Sequence, residues 1–151
     1  IGSWLRDEPA ISAVAAELNK LKVEMPRDGM AKLATKVATS ALHSVVEKSP
    51  VGNPALWKSP APAGYVPGAF KNSWYVTLGS IAPGAERSPD ASGGSSLGET
   101  ARLAELASNP YQVIYIHNSL PYAWRLEHGW STQAPVGMVS VTLNSLSSGV
   151  L

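Results

Sequence analysis

A single long helical pattern with an abrupt end constrains the fold more than any other feature. From Asp28 to Lys48, apolar residues recur in DGMAKLATKVATSALHSVVEK every three to four positions. Asp28 is a suitable N-cap, and Ser49-Pro50 ends the pattern because a residue before proline avoids helical geometry. The predicted stripe is Met30, Leu33, Ala34, Val37, Ala41, Val45 and Val46. Its small side chains allow a sheet or another helix to approach closely, so we predict that this helix covers the core.

A second, shorter helical pattern precedes the long one. In ISAVAAELNKLK, residues 11–22, the apolar side chains fall on one helical face and Pro26 ends the segment. That face is formed by Ile11, Val14, Ala15, Leu18 and Leu21. We therefore predict an N-terminal helical segment over residues 1–27 and a single domain over residues 28–151.

Three stretches have strand character. Residues 70–79 alternate Trp74, Val76 and Leu78 with polar positions, which predicts a strand with one buried face. Residues 111–118 are apolar on both faces, which favours a central strand, and residues 137–144 alternate like a third strand. A short helix is predicted near residues 99–107. The order favours an α+β fold in which a small, mainly antiparallel sheet packs against the long helix.

Two segments lack the pattern of either element. Residues 49–68 are rich in proline and glycine, so neither a helix nor a central strand can run through them. Residues 80–98 consist mainly of serine, glycine and proline with few large apolar side chains, which predicts a flexible excursion. We predict a long loop at each position.

Composition excludes several classes of function. Twelve basic and eleven acidic residues leave a formal charge of +1, which does not favour binding to nucleic acid or to an anionic membrane. The chain has no cysteine, so disulfides, thiolate nucleophiles and cysteine-ligated zinc are excluded. No apolar run approaches the roughly 20 residues of a membrane helix.

The densest polar chemistry lies in LPYAWRLEHGW, residues 120–130. Its spacing predicts a short helix that ends at Gly129, with Arg125, Glu127 and His128 on the exposed side. An active site here would need a nucleophile or a metal, and His43 and His117 have no ligand spacing. No serine lies in a nucleophile elbow and no glycine-rich loop carries a P-loop lysine. We predict no enzyme activity, cofactor or metal, with a small hydrolase that uses Glu127 and His128 as the alternative.

Aromatic residues concentrate in loops and turns, where protein interfaces are enriched in them. For Trp57, Trp124 and Trp130 a subunit contact is as plausible as core packing. The candidate contact residues are Trp57, Tyr65, Tyr122, Trp124, Arg125, Glu127, His128 and Trp130.

Four short motifs follow one another in a distinctive order. They are the SPV turn at residues 49–51, GAFKNSW at 68–74, NSLPYAWRLEHG at 118–129 and QAPVGM at 133–138. The matching residues are Ser49, Pro50, Val51, Gly68, Phe70, Lys71, Ser73, Trp74, Asn118, Tyr122, Ala123, Glu127, Gly129, Gln133, Ala134, Pro135, Gly137 and Met138. The series resembles the tail-completion or neck proteins of tailed bacteriophages. Two departures are the proline-rich expansion after Val51 and the missing Asp-Thr-Gly that usually follows the valine.

The resemblance implies a structural virion protein at the head–tail junction. It implies a homo-oligomeric ring, expected to be a hexamer, that surrounds the channel through which DNA passes. Its partners would be the head connector or adaptor and the tail tube or tail terminator, with no membrane, after assembly in the host cytoplasm. The alternatives are a tail terminator that caps the tail tube, the small hydrolase and a nucleic-acid-binding module.

Overall fold

The computed structural model describes residues 14–16, 27–56 and 60–149. The predicted helix at residues 11–22 therefore lies largely outside the described residues, although Val14, Ala15 and Ala16 are helical. The remaining elements, in chain order, are helix α1 (Arg27–Lys48), a first 3₁₀ helix (Pro54–Leu56), strand β1 (Tyr75–Leu78), helix α2 (Gly94–Gly98), a second 3₁₀ helix (Glu99–Ala107), strand β2 (Ile114–His117), helix α3 (Ala123–Glu127) and helix α4 (Val139–Ser147). This is an α+β fold, as predicted.

Helix α1 begins at Arg27, two residues before Gly29, the first helical residue predicted, so Asp28 lies in its first turn rather than at the N-cap. The buried face is also rotated relative to the predicted stripe. Ala38 and Leu42 are buried at its centre, whereas Leu33, Val37 and Ala41 are only half-buried. The small alanines of this face allow the second 3₁₀ helix to pack closely against α1, and α4 packs beside it.

The sheet is smaller than the sequence suggests. Strands β1 and β2 are antiparallel, with Tyr75 opposite His117 and Leu78 opposite Ile114. Val76 is fully buried and joins the same core as Leu42, which confirms the inward face predicted for β1. The prediction of a central strand for residues 111–118 is wrong, since the described part of the chain contains a two-stranded sheet. The side chains of β2 are half-buried on both faces.

The third predicted strand is also wrong, because Val139–Ser147 forms helix α4. Its valines suggested a strand by propensity, but tertiary contacts decide the outcome. Thr142 is buried, and its Oγ1 lies 2.7 Å from the Oγ of Ser44 on α1. A helix presents Thr142 to α1 together with Val139, three residues before it.

The segment at residues 80–98 was predicted to be a flexible excursion, and the structure corrects this. Ser96, in helix α2, is buried, and its Oγ accepts a hydrogen bond from the backbone N–H of Trp74. Arg87 donates to the carbonyl of Trp74 and pairs with the buried Glu99, whose carboxylate also accepts from the backbone N–H of Val76. The segment thus covers β1 mainly through polar contacts, although Leu97 also packs against the core.

Trp74 links α1 to the sheet. Its ring is buried, and its Nε1 donates to Ser49 Oγ at 2.8 Å.

We expect Trp74→Phe to lower the free energy of unfolding by about 1–3 kcal/mol, because the buried Ser49 hydroxyl loses a donor. Urea denaturation measures this, with Trp124→Phe as the matched control. Trp124 is half exposed, so its replacement should change stability by no more than about 0.5 kcal/mol. Equal losses in both variants would contradict the anchoring role of Trp74.

Candidate subunit-contact groove

A groove of about 780 Å³ lies beside helix α3. Its walls come from the chain that follows α1, from the loop that leads to β1, from residues near Glu86, and from α3 with the loop after it. We call this feature the aromatic groove. The large apolar side chains that line it are Leu56, Tyr65, Val66, Phe70, Tyr122, Leu126 and Trp130.

Several of these side chains are unusually exposed for their size. Leu56, Val66 and Trp130 expose 68%, 55% and 70% of their surface, and Tyr65 and Tyr122 are also exposed. Contiguous apolar surface of this kind marks a binding site in soluble proteins. Glu86 is the one acidic or basic side chain among the residues that line the groove. The groove is therefore suited to an apolar partner.

One wall is held in place by Gln133. Its side-chain amide forms two hydrogen bonds with the backbone of Val51, accepting from the N–H and donating to the carbonyl, both at 2.8 Å. The two hydrogen bonds resemble those between neighbouring β-strands, except that one partner is a side-chain amide. It fixes the loop after α3 against the end of α1.

The floor of the groove is held by Asn118 and Phe70. Asn118 Nδ2 donates to the carbonyl of Phe70 at 2.9 Å, and its Oδ1 accepts from the N–H of Leu120. The buried ring of Phe70 contacts the rings of Trp74 and Tyr122, each with centroids 5.9 Å apart. Partial burial raises the pKa of Tyr122, because removal from water disfavours the phenolate, and the charge of Glu86 adds to this effect.

Glu127 was predicted to lie on the exposed side of the turn, and the structure corrects this. Its side chain is buried. The carboxylate accepts hydrogen bonds of 2.8–2.9 Å from the N–H groups of Met138, Val139 and Ser140 and from the Ser140 hydroxyl. These amides open helix α4 and have no intrahelical acceptor, so a carboxylate here satisfies them and complements the helix dipole.

Two glycines permit this arrangement. Gly137 has a φ of +84°, and a Cβ there would collide with both the backbone and the carboxylate of Glu127. Gly129 has a φ of +82°, and a Cβ there would press on the carbonyl of Pro135. The chain can therefore leave α3, turn, and bring the start of α4 back onto Glu127.

The remaining predicted contact residues lie around α3. The guanidinium of Arg125 sits 4.8 Å from the centre of the Trp130 ring, a cation–π contact that supports one rim of the groove. Trp124 stacks on His128 with centroids 4.1 Å apart, and neither residue lines the groove. Trp57 lies outside the described residues. The structure thus brings Tyr65, Tyr122 and Trp130 together in the groove.

The Glu-His pair does not form a joint reactive centre. Glu127 is engaged by the start of α4, whereas His128 Nδ1 donates to the carbonyl of Trp124 at 2.7 Å. His117, on β2, has its pKa lowered by burial, an effect that the charge of Glu99 opposes. Among the described residues, no group of three or more His, Asp or Glu side chains could hold a metal ion.

Sequence reasoning missed Leu56 and Val66 as groove residues. Both are large apolar side chains within the proline-rich segment, a stretch that cannot bury them in regular secondary structure. The presence of large apolar side chains in a segment that cannot bury them was the sign, in the sequence, that they belong to an exposed apolar surface. Gln133 was a motif residue, but its pairing with Val51 spans 82 positions in sequence and could not be read from local spacing.

Comparison of the chain with known proteins found no matching family model, no similar curated protein and no similar solved structure. Within the described residues, no helix has the length and apolar character needed to cross a membrane.

The contacts of Glu127 predict a structural effect of its removal. We expect Glu127→Gln to lower the free energy of unfolding by about 2–4 kcal/mol, because an amide NH₂ would face N–H donors that the carboxylate now satisfies. Glu105→Gln is the matched control, since Glu105 is exposed. Urea denaturation of both variants measures the difference. A Glu127→Gln protein as stable as the control would contradict the proposed capping of α4.

Proposed function

We propose that this chain is a structural virion protein of the head–tail junction, a neck or tail-completion subunit that assembles into a ring around the DNA channel. One observation carries the proposal. The four motifs that resemble the tail-completion family are widely separated in sequence, yet direct hydrogen bonds join them to one another. We call this set of linked segments the motif frame.

The links of the motif frame form a closed series. The first motif bonds to the second through Ser49 and Trp74, and the second bonds to the third through Phe70 and Asn118. The third bonds to the fourth where Glu127 accepts from Met138. The fourth returns to the first through Gln133 and the backbone of Val51. A chance collection of loose motifs would have no reason to meet in space, so this closure supports the resemblance.

The motif frame also favours contact over catalysis. The polar side chains that link its segments hold the fold together, and Glu127, the acid required by the hydrolase alternative, already accepts four hydrogen bonds. The exposed part of the groove is apolar and aromatic. Covering such a surface with a partner lowers the free energy, and Glu86 is the one carboxylate among the lining residues, with no histidine or second acid beside it in that lining.

The charge balance fits passage of DNA through a ring. A formal charge of +1 over 151 residues gives no field that would hold a polyanion in transit. A tail terminator, the alternative role, would use the same kind of ring contact.

Trp130 provides the test of this proposal. We expect Trp130→Ser to leave the free energy of unfolding within about 0.5 kcal/mol of wild type, since 70% of the side chain is exposed. Self-association should weaken by roughly 10-fold or more if Trp130 anchors the contact. Analytical ultracentrifugation measures self-association, and co-sedimentation measures incorporation into phage particles.

The matched variant is Trp124→Ser, which removes a half-exposed tryptophan of the same turn that does not line the groove. It should assemble like wild type. A wild-type chain that stays monomeric at high concentration and never associates with particles would contradict the proposed function.

A further inference from the structure

The aromatic groove is an exposed apolar surface, and another segment of the chain is also apolar. Residues 11–22 carry an apolar stripe of Ile11, Val14, Ala15, Leu18 and Leu21 at helical spacing. A helix of this length gains little stability alone and depends on burial of its apolar face. Ala15, on that stripe, is exposed. Val14, the other described residue of the stripe, is half-buried, so groove and stripe are two apolar surfaces of one chain.

The groove lies at the C-terminal end of α1, whereas residues 11–22 connect to the N-terminal end of that helix. It is lined by Pro50, Val51 and Gly52, which directly follow the C-terminus of α1. The segment enters α1 at the opposite end, where the Arg27 side chain donates to the carbonyl of Ser108, a residue outside the groove. Helix α1 has 22 residues, so it spans about 33 Å.

This length prevents the stripe from filling the groove of its own chain. Lys22 and Arg27 are five positions apart, so their Cα atoms are at most about 18 Å apart. The C-terminal end of the stripe can therefore reach only about halfway along α1. A helix over residues 11–22 adds about 18 Å, which brings no more than its first turn to the groove.

We propose that the aromatic groove of each subunit binds the apolar face of residues 11–22 from a neighbouring copy. The groove lies at the C-terminal end of α1 and the segment connects to its N-terminal end, so the contact joins two different surfaces of the same chain. Such a heterologous contact can repeat from copy to copy and close into a ring. The inference rests on the ring assembly proposed above and names the surfaces that form it.

The absence of cysteine makes a disulfide test direct. Two full-length variants, Leu18→Cys and Val66→Cys, are prepared separately, one with a size tag, then mixed and oxidised. Leu18 lies on the stripe, and Val66 is an exposed residue of the groove. We expect a heterodimer band on a non-reducing gel, because the two thiols meet only when one copy occupies the groove of another.

Two matched variants control for random collision. Asn19→Cys moves the thiol off the stripe, and Ser147→Cys places it on an exposed position outside the groove. Neither should give the band when paired with the opposite partner. Equal bands in these controls, no band from Leu18→Cys with Val66→Cys, or a purely intramolecular bond in the double variant would each overturn the inference.

The size of the wild-type assembly and its presence in particles are measured alongside. A ring that enters particles without the specific cross-link would overturn this inference and leave the proposed function standing. The specific cross-link in a chain that never enters particles would contradict the proposed function and support the segment exchange.

Discussion

The structure depends on one buried carboxylate, that of Glu127. It accepts the first amides of helix α4 and thereby joins the turn around α3 to the element that packs on α1. Gly137 leaves room for the close approach. The loop between α3 and α4 is held at one end by Glu127 and at its middle by Gln133. This loop includes Trp130 and forms one wall of the groove, so the contact surface is built on the same carboxylate.

Interior and surface have separate roles in this chain. The motif frame uses its side chains for internal bonds, such as Ser49 with Trp74 and Asn118 with Phe70. The exposed residues Leu56, Val66 and Trp130 contribute little to the core and leave apolar area at the surface. A rigid frame lowers the entropy lost when a partner binds. This division fits the assembly role that we propose for the chain.

Much of the fold could be predicted from local patterns. The helical period of the apolar residues predicted the bounds of α1 to within about two residues, and the alternation around Val76 predicted which face of β1 is buried. Helix α4 could not be predicted, because its valines favour a strand and its helical form depends on tertiary contacts such as the bond of Thr142 to Ser44 and the cap by Glu127. The burial of Glu127 was missed for the same reason, since its partners lie eleven to thirteen positions away. Of the candidate site, the aromatic residues could be found from sequence, but the groove that collects them is a product of tertiary contacts.

Hydrogen–deuterium exchange of the dissociated and assembled protein is the most direct test that the aromatic groove is an assembly surface. Slower exchange on assembly is expected in the segments that line the groove, residues 50–56, 65–70 and 130–133, because a bound partner excludes water from their amides. The amides of β1 and β2, which are already paired with each other, should exchange equally in both states. Unchanged exchange along the groove, with new protection confined to other surfaces, would contradict the account.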